Sequence, residues 1–202
     1  MPPPAAGRYK ANFTLGGLMV PESRLVADLL LRGSDSAGWK QAIEIDNLLR
    51  KRSLSTASTK AVLIRARLKT LTADLWRLVR DGNKPLATHA VLAATVKYSP
   101  LLGDFLDLVV RDRYRRFEQT LQPRHWDAYI EDCRLRDPLM PHWRKGSLDS
   151  LRSRAFGILS EAGYLADART RQLLPPQLAP EVLAYLSEAG EDYVLRCLDL
   201  SR

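Results

Sequence analysis

The sequence predicts a mainly α protein: a multi-helix, two-lobed bundle with helix-turn-helix-like units and a small winged β-hairpin near the C-terminus. Three observations lead there. Apolar residues recur at helical intervals along most of the 202-residue chain, the alternation that marks half-buried strands is nearly absent, and the helical runs start and stop on the residues that usually do so. A chain of this length buries a core without disulfides or metals.

The elements follow in order. Residues 21–32 open with a proline at a first-turn position and stop at Gly33. Ser36 is placed to cap a helix running through Trp39, Ile43 and Leu49. After the turn SLST, Ala57, Ala61, Ile64, Leu68 and Leu71 succeed one another at spacings of four, three, four and three, which sets them on one stripe of a helix. DGNKP then breaks the chain. An alanine-rich helix near residues 86–98 follows, and after it PLLGDFLDLVVRDRYRRF, with Leu102, Phe105, Leu106 and Val109 as core candidates. Trp126, Ile130 and Cys133 mark a further helix.

The loop RDPLMPHWRKG contains two prolines and a glycine and is the expected boundary between a lobe at 1–135 and one at 136–202. Beyond it Ser147 caps a helix with Leu148, Leu151, Ala155, Ile158 and Leu159 inward, ending at Gly163. YLADARTRQLLPPQL is the one place suited to short strands, before two closing helices. No internal repeat is visible, and low complexity is confined to the first residues, MPPPAA.

The charge is one-sided. A net charge of +8 and a pI of about 9.7 favour nucleic acid, an anionic surface or an acidic partner. Arginine outnumbers lysine by 23 to 8, which suits forked contacts to phosphate. The two cysteines, Cys133 and Cys197, stand in helical segments far from any second ligand and read as reduced, buried side chains of a cytoplasmic protein. The N-terminal residues lack the apolar core of a signal peptide, and no apolar run is long enough to cross a bilayer.

Positive charge concentrates in RKRSLSTASTKAVLIRARLKTL, residues 50–71, with seven lysines or arginines and no acid. Over residues 36–71 the order helix, short turn, amphipathic helix is that of a helix-turn-helix unit, whose second helix enters the major groove. Arg50, Lys51 and Arg52 are placed to contact phosphates from the helix end and turn. Ser55, Thr56, Ser58 and Thr59 surround the first turn of the second helix, where free amides and the helix dipole favour an anion. Lys60, Arg65, Arg67 and Lys69 extend the track, with Arg65 nearest a base edge. Cations on a merely solvated helix are usually interleaved with acids, and here they are not.

A second candidate runs through HWRKGSLDSLRSRAFGILSEAGYL to RTRQLLPP and resembles a winged helix. Lys145, Ser147, Arg152 and Arg154 stand on its recognition helix, and Arg169 and Arg171 on its wing. The cluster RDRYRR at 111–116 offers Tyr114 for stacking on a base, though one tyrosine among cations on an amphipathic helix is more often a half-buried packing residue.

Catalysis is not expected. His89, His125 and His142 are scattered, TLGGLMVPES lacks the lysine of a phosphate-binding loop, and neither a nucleophile elbow nor a pair of acids placed to hold magnesium occurs. No cofactor and no metal are expected.

Taken in order, YKANFTLGGLMVPESRLVADLLLRG, NLLRKRSLSTASTKAVLIRARL, LLGDFLDLVVRDRY, LRSRAFGILSEAGYL and LLPPQLAP resemble the BrxA family of bacterial BREX phage-exclusion systems, over residues 9–186. Asn47, Arg50 and Arg67 are similar to the family pattern. The resemblance implies a small, helical, cytosolic, non-enzymatic protein that binds double-stranded DNA and works beside a methyltransferase, an ATPase and other BREX proteins. DNA binding with little sequence preference is therefore the expected function, because phosphate-directed cations give affinity without a code and the stretch offers no asparagine or glutamine suited to adenine. The alternative is a protein–protein adaptor that assembles a defence complex through the same basic surface, and an RNA-binding helical bundle is a further option.

Overall fold

In the computed structural model, which describes residues 7–200, helix succeeds helix along almost the whole chain. The opening MPPPAA lies outside the described residues. The helices are α1 (Val20–Leu31), α2 (Ser36–Lys40, continued by a π-helical turn over Gln41–Ile45), α3 (Leu54–Leu68), α4 (Ala73–Asp81), α5 (Lys84–Tyr98), α6 (Pro100–Asp104, continued as a π-helix over Phe105–Val110), α7 (Arg111–Arg115), α8 (Pro123–Arg136), α9 (Lys145–Glu161), α10 (Pro180–Glu188) and α11 (Asp192–Leu198). The fold is the mainly α one that the periodicity predicts.

Two compact units share the chain. Unit 1 consists of Met1–Gly17, Ser99–Gln177 and Tyr193–Arg202, and unit 2 of Leu18–Tyr98 and Leu178–Asp192. The boundary expected between 135 and 136 falls inside unit 1. Proline and glycine mark the 136–146 loop as irregular, but they do not mark it as loose. The Asp137 carboxylate accepts the Tyr9 amide at 3.2 Å, and Met140 is buried.

Unit 2 is built on α5, whose residues from Ala87 to Val96 are all buried. Its small side chains let α1, α3, α4 and α10 close around it. Polar groups on so buried a helix need partners. Thr88 and Thr95 donate back to the carbonyls of Lys84 and Val91, and Nδ1 of His89 accepts the amide hydrogen of Ala179. Arg24 of α1 caps the end of α4 by donating to the carbonyls of Arg80 at 2.7 Å and Gly82 at 2.6 Å.

Unit 1 has an aromatic core. Phe105 lies against Trp126 with ring centroids 4.7 Å apart, Phe13 and Phe156 pack at 6.3 Å from Trp126 and Phe105 respectively, and Tyr129 donates to the carbonyl of Leu101. Asp104, only 6 % exposed, binds two separate parts of the unit: Arg8 through both oxygens with the adjacent Tyr9 hydroxyl at 2.8 Å, and the Tyr193 hydroxyl at 2.7 Å. A carboxylate so placed is stable only because every lone pair is satisfied.

The strand-like segment after α9 does turn back on itself, but through one isolated antiparallel bridge, Leu165 to Leu173, while a second, Thr120 to Gln172, joins it to the stretch before α8, without a ladder. Asp167 closes the tip by accepting the amides of Arg169 and Thr170. No longer strand occurs among the described residues.

Candidate nucleic-acid interface

Helix α3 starts three residues before the point the sequence suggests, because SLST forms its cap and first turn and not a separate turn. Ser53 is its N-cap, accepting the amide of Thr56 at 3.1 Å, and the helix then shows Ser55, Thr56 and Thr59 to solvent around its first turn. The preceding turn is held by Asn47, whose side chain accepts the Lys51 amide and donates to the Lys51 carbonyl. Asn47 and Arg50 both take left-handed backbone conformations, with φ of 46° and 48°. Asparagine tolerates that region and arginine does so at a cost, so the turn must be fixed by its surroundings. The result is that Arg50 and Arg52 project, exposed, beside the amino end of α3.

The other cations of this stretch are not equivalent to these two. Lys51 is paired with Glu22 of α1 at 2.5 Å, and the charge of Lys60, half-buried on the same flank, also acts on Glu22. Arg65 lies over the ring of Trp39 at 4.4 Å from its centroid, a cation–π stack that occupies one face of the guanidinium. Lys69 is exposed. Arg67 is a correction: only 2 % of it is accessible, so it is a core residue of unit 2 and not a contact for a ligand. It occupies the α3 flank turned toward the packed stripe of Ala57, Ala61, Ile64 and Leu68, where periodicity alone would have put it at the edge. The nearest acids by sequence, Asp46 and Asp74, are both exposed, one just after the π-helical turn and the other in the first turn of α4.

At the second candidate, α9 begins without a side-chain cap, with Lys145 and Ser147 exposed. Arg152 is engaged twice, by Asp127 of α8 at 2.8 Å and by Asp149 at 2.7 Å, while Arg154 is half-buried on the other flank. Arg169 is exposed and Arg171 half-buried at the hairpin. Three arginines of the third cluster are paired within unit 1. Arg111 pairs with Asp107 at 2.6 Å, Arg113 with Asp112 and Glu118, and Arg116 with Asp112. Tyr114 donates to the carbonyls of Tyr164 and Leu174, so it is a packing residue. His125 caps α8 by accepting the Gln122 amide, and its burial, reinforced by nearby Arg113, holds its pKa below the ordinary histidine value.

Among the described residues no three His, Cys, Asp or Glu side chains converge as metal ligands, and no helix is long and apolar enough to cross a membrane. Cys133 and Cys197 are buried free thiols, and burial pushes the Cys197 thiol up to about 12.

The BrxA family model matches residues 7–190. The chain belongs to the BrxA family. Relatives named BREX protein BrxA are 47 % identical in Paramagnetospirillum magneticum, over 98 % of this chain and 99 % of that one, and 32 % identical in Escherichia coli, over 93 % and 89 %. The crystal structure of an uncharacterized protein from Magnetospirillum magneticum superposes with a TM-score of 0.89 at 45 % identity, covering 96 % of this chain and 99 % of that one. In this BrxA-family chain Asn47, Arg50 and Arg67, likened above to the family pattern, all have structural work. Asn47 ties the turn, Arg50 sits in its left-handed corner, and Arg67 fills the core. Glu22 and Trp39 were missed from the sequence, because each meets its basic partner only through tertiary contact; the acid-free run of 50–71 gave no sign of them.

Proposed function

We propose that this BrxA-family protein is a non-enzymatic, cytoplasmic component of BREX-type phage defence that binds double-stranded DNA through α3 and the turn before it, with little sequence preference. The observation that carries the reading is the pairing of exposed Arg50 and Arg52 with the hydroxyl-lined first turn of α3, in a stretch without acids. Guanidinium groups, Ser55, Thr56, Ser58 and Thr59 hydroxyls and the helix dipole there all suit phosphate oxygens. Lys69 extends the track along the same helix. Lys145 and Ser147 at the start of α9 supply an auxiliary contact.

An anisotropy titration with duplex DNA at near-physiological salt tests this. With about five phosphates contacted, log affinity falls against log salt with a slope of about 4 to 5. Flat, weak binding at all salt concentrations overturns the reading, and displacement by duplex RNA at equal strength redirects it to RNA.

A second reading has its own support. Between α8 and α9 a groove floored by Trp126, Ile130 and Leu148 is rimmed by charges of both signs, Asp127, Glu131 and Asp149 against Lys145 and Arg152. Mixed charge around an apolar floor suits a protein surface better than a phosphate backbone, which is how an adaptor for other BREX proteins would look.

A further inference from the structure

The outward face of α3 has a pattern of its own. Ser55, Thr59, Val62, Ala66 and Lys69 follow one another at four, three, four and three, the same spacing as the buried stripe of Ala57, Ala61, Ile64 and Leu68, but displaced to the nearly opposite side of the helix. Val62 is at the centre of that face and 61 % exposed. Of its neighbours one turn away, Ser58, Thr59 and Ala66 are short, and Arg65 has its guanidinium laid over the Trp39 ring. The long cations stand at the margins, Arg50 and Arg52 at one end, Arg65 along one edge and Lys69 at the other end.

Such a face brings a helix backbone close to whatever it covers, because nothing long holds it away. The cationic margins select a polyanion as the occupant, and the absence of forked donors at the centre rules out the usual reading of guanine or adenine. What the major groove offers to an aliphatic side chain is the C5-methyl group of a pyrimidine. Resting on the DNA-binding reading above, we propose that α3 lies in the major groove with Val62 against a thymine methyl, so that backbone-driven binding carries a modest preference for methyl-bearing pyrimidines.

The test uses the full-length protein and three duplexes of one sequence: unmodified, with every thymine replaced by deoxyuridine, and with its cytosines 5-methylated. Loss of one methyl contact weakens binding about three- to four-fold, on the scale of one buried methylene. The expected result is therefore a three- to four-fold loss with uracil, a gain of similar size with 5-methylcytosine, and collapse of both differences in Val62→Ala. Because Val62 is exposed and alanine is the better helix former, that variant keeps its fold, and circular dichroism checks that it does. Tight binding with no difference between the duplexes overturns the proposal and leaves DNA binding standing. A uracil effect that persists in Val62→Ala is an effect of duplex shape and also overturns it. Absence of binding to all three duplexes defeats the DNA-binding reading itself, and this inference with it.

Discussion

The guanidinium of Arg65 lies over the indole of Trp39 at 4.4 Å from the ring centroid, joining the outer edge of α3 to α2. This contact takes one face of a cation otherwise turned toward a ligand. A double-mutant cycle with Trp39→Leu and Arg65→Gln is expected to give a coupling of about 0.5–1 kcal/mol in thermal or urea unfolding. Strictly additive effects would show that the stack contributes nothing.

Reversing charge at Arg50, Arg52 and Lys69 together, each to Glu, is expected to reduce duplex affinity at least a hundred-fold while the melting temperature stays within a few degrees. All three are exposed, so the change falls on the ligand and not on the core. An unchanged affinity removes α3 and its turn from the interface.

Arg67 behaves in the opposite way. Arg67→Ala is expected to lower the melting temperature by several degrees, as loss of a buried side chain does, yet to leave the salt slope of binding unaltered. A slope reduced by about one would show that its charge reaches a phosphate after all.

Glu22 restrains the basic track. Its burial raises the carboxyl pKa, but the hydrogen bond from Lys51, its own backbone amide and the charges of Lys51 and Lys60 outweigh that, and the net shift is downward. A carboxyl whose pKa is depressed on folding contributes stability that is fully present above its unfolded value, about 4.3, and is lost as pH falls through the lower folded value. Glu22→Gln should therefore flatten the acid limb of the stability profile and lower stability at neutral pH by about 1 kcal/mol. By releasing Lys51 and removing a negative charge, it should also tighten DNA binding several-fold. Weaker binding would indicate that the pair positions Lys51 instead of withholding it.

In unit 1, Lys145→Glu is expected to cause a partial, two- to five-fold loss of duplex affinity. Arg152→Glu should cost stability instead, because it places a third acid beside Asp127 and Asp149. Equal effects of the two on affinity would show that the α9 pairs open to meet DNA.

Helical periodicity made the fold legible, since the stripe of Ala57, Ala61, Ile64 and Leu68 depends only on local repeat and burial. The site was less so. A run of 22 residues without an acid reads as a continuous cationic track, yet Glu22 lies 29 positions before Lys51 and neutralises it. Which flank a side chain occupies was just as hidden, and it separates buried Arg67 from exposed Lys69, two residues apart. Division into units escaped composition because unit 1 is gathered from three separate stretches, which no local signal of proline or glycine reports.

That gathering has a temporal side. Residues 18–98 have neighbours to pack against early in synthesis, whereas Asp104 acquires the hydroxyl of Tyr193 only after a further 89 residues have been made. Until then a half-solvated carboxylate stands among aromatic rings waiting for its last donor. Trimming the residues from Tyr193 onward would thus unsettle a centre laid down in the middle of the chain, far more than so short a segment suggests.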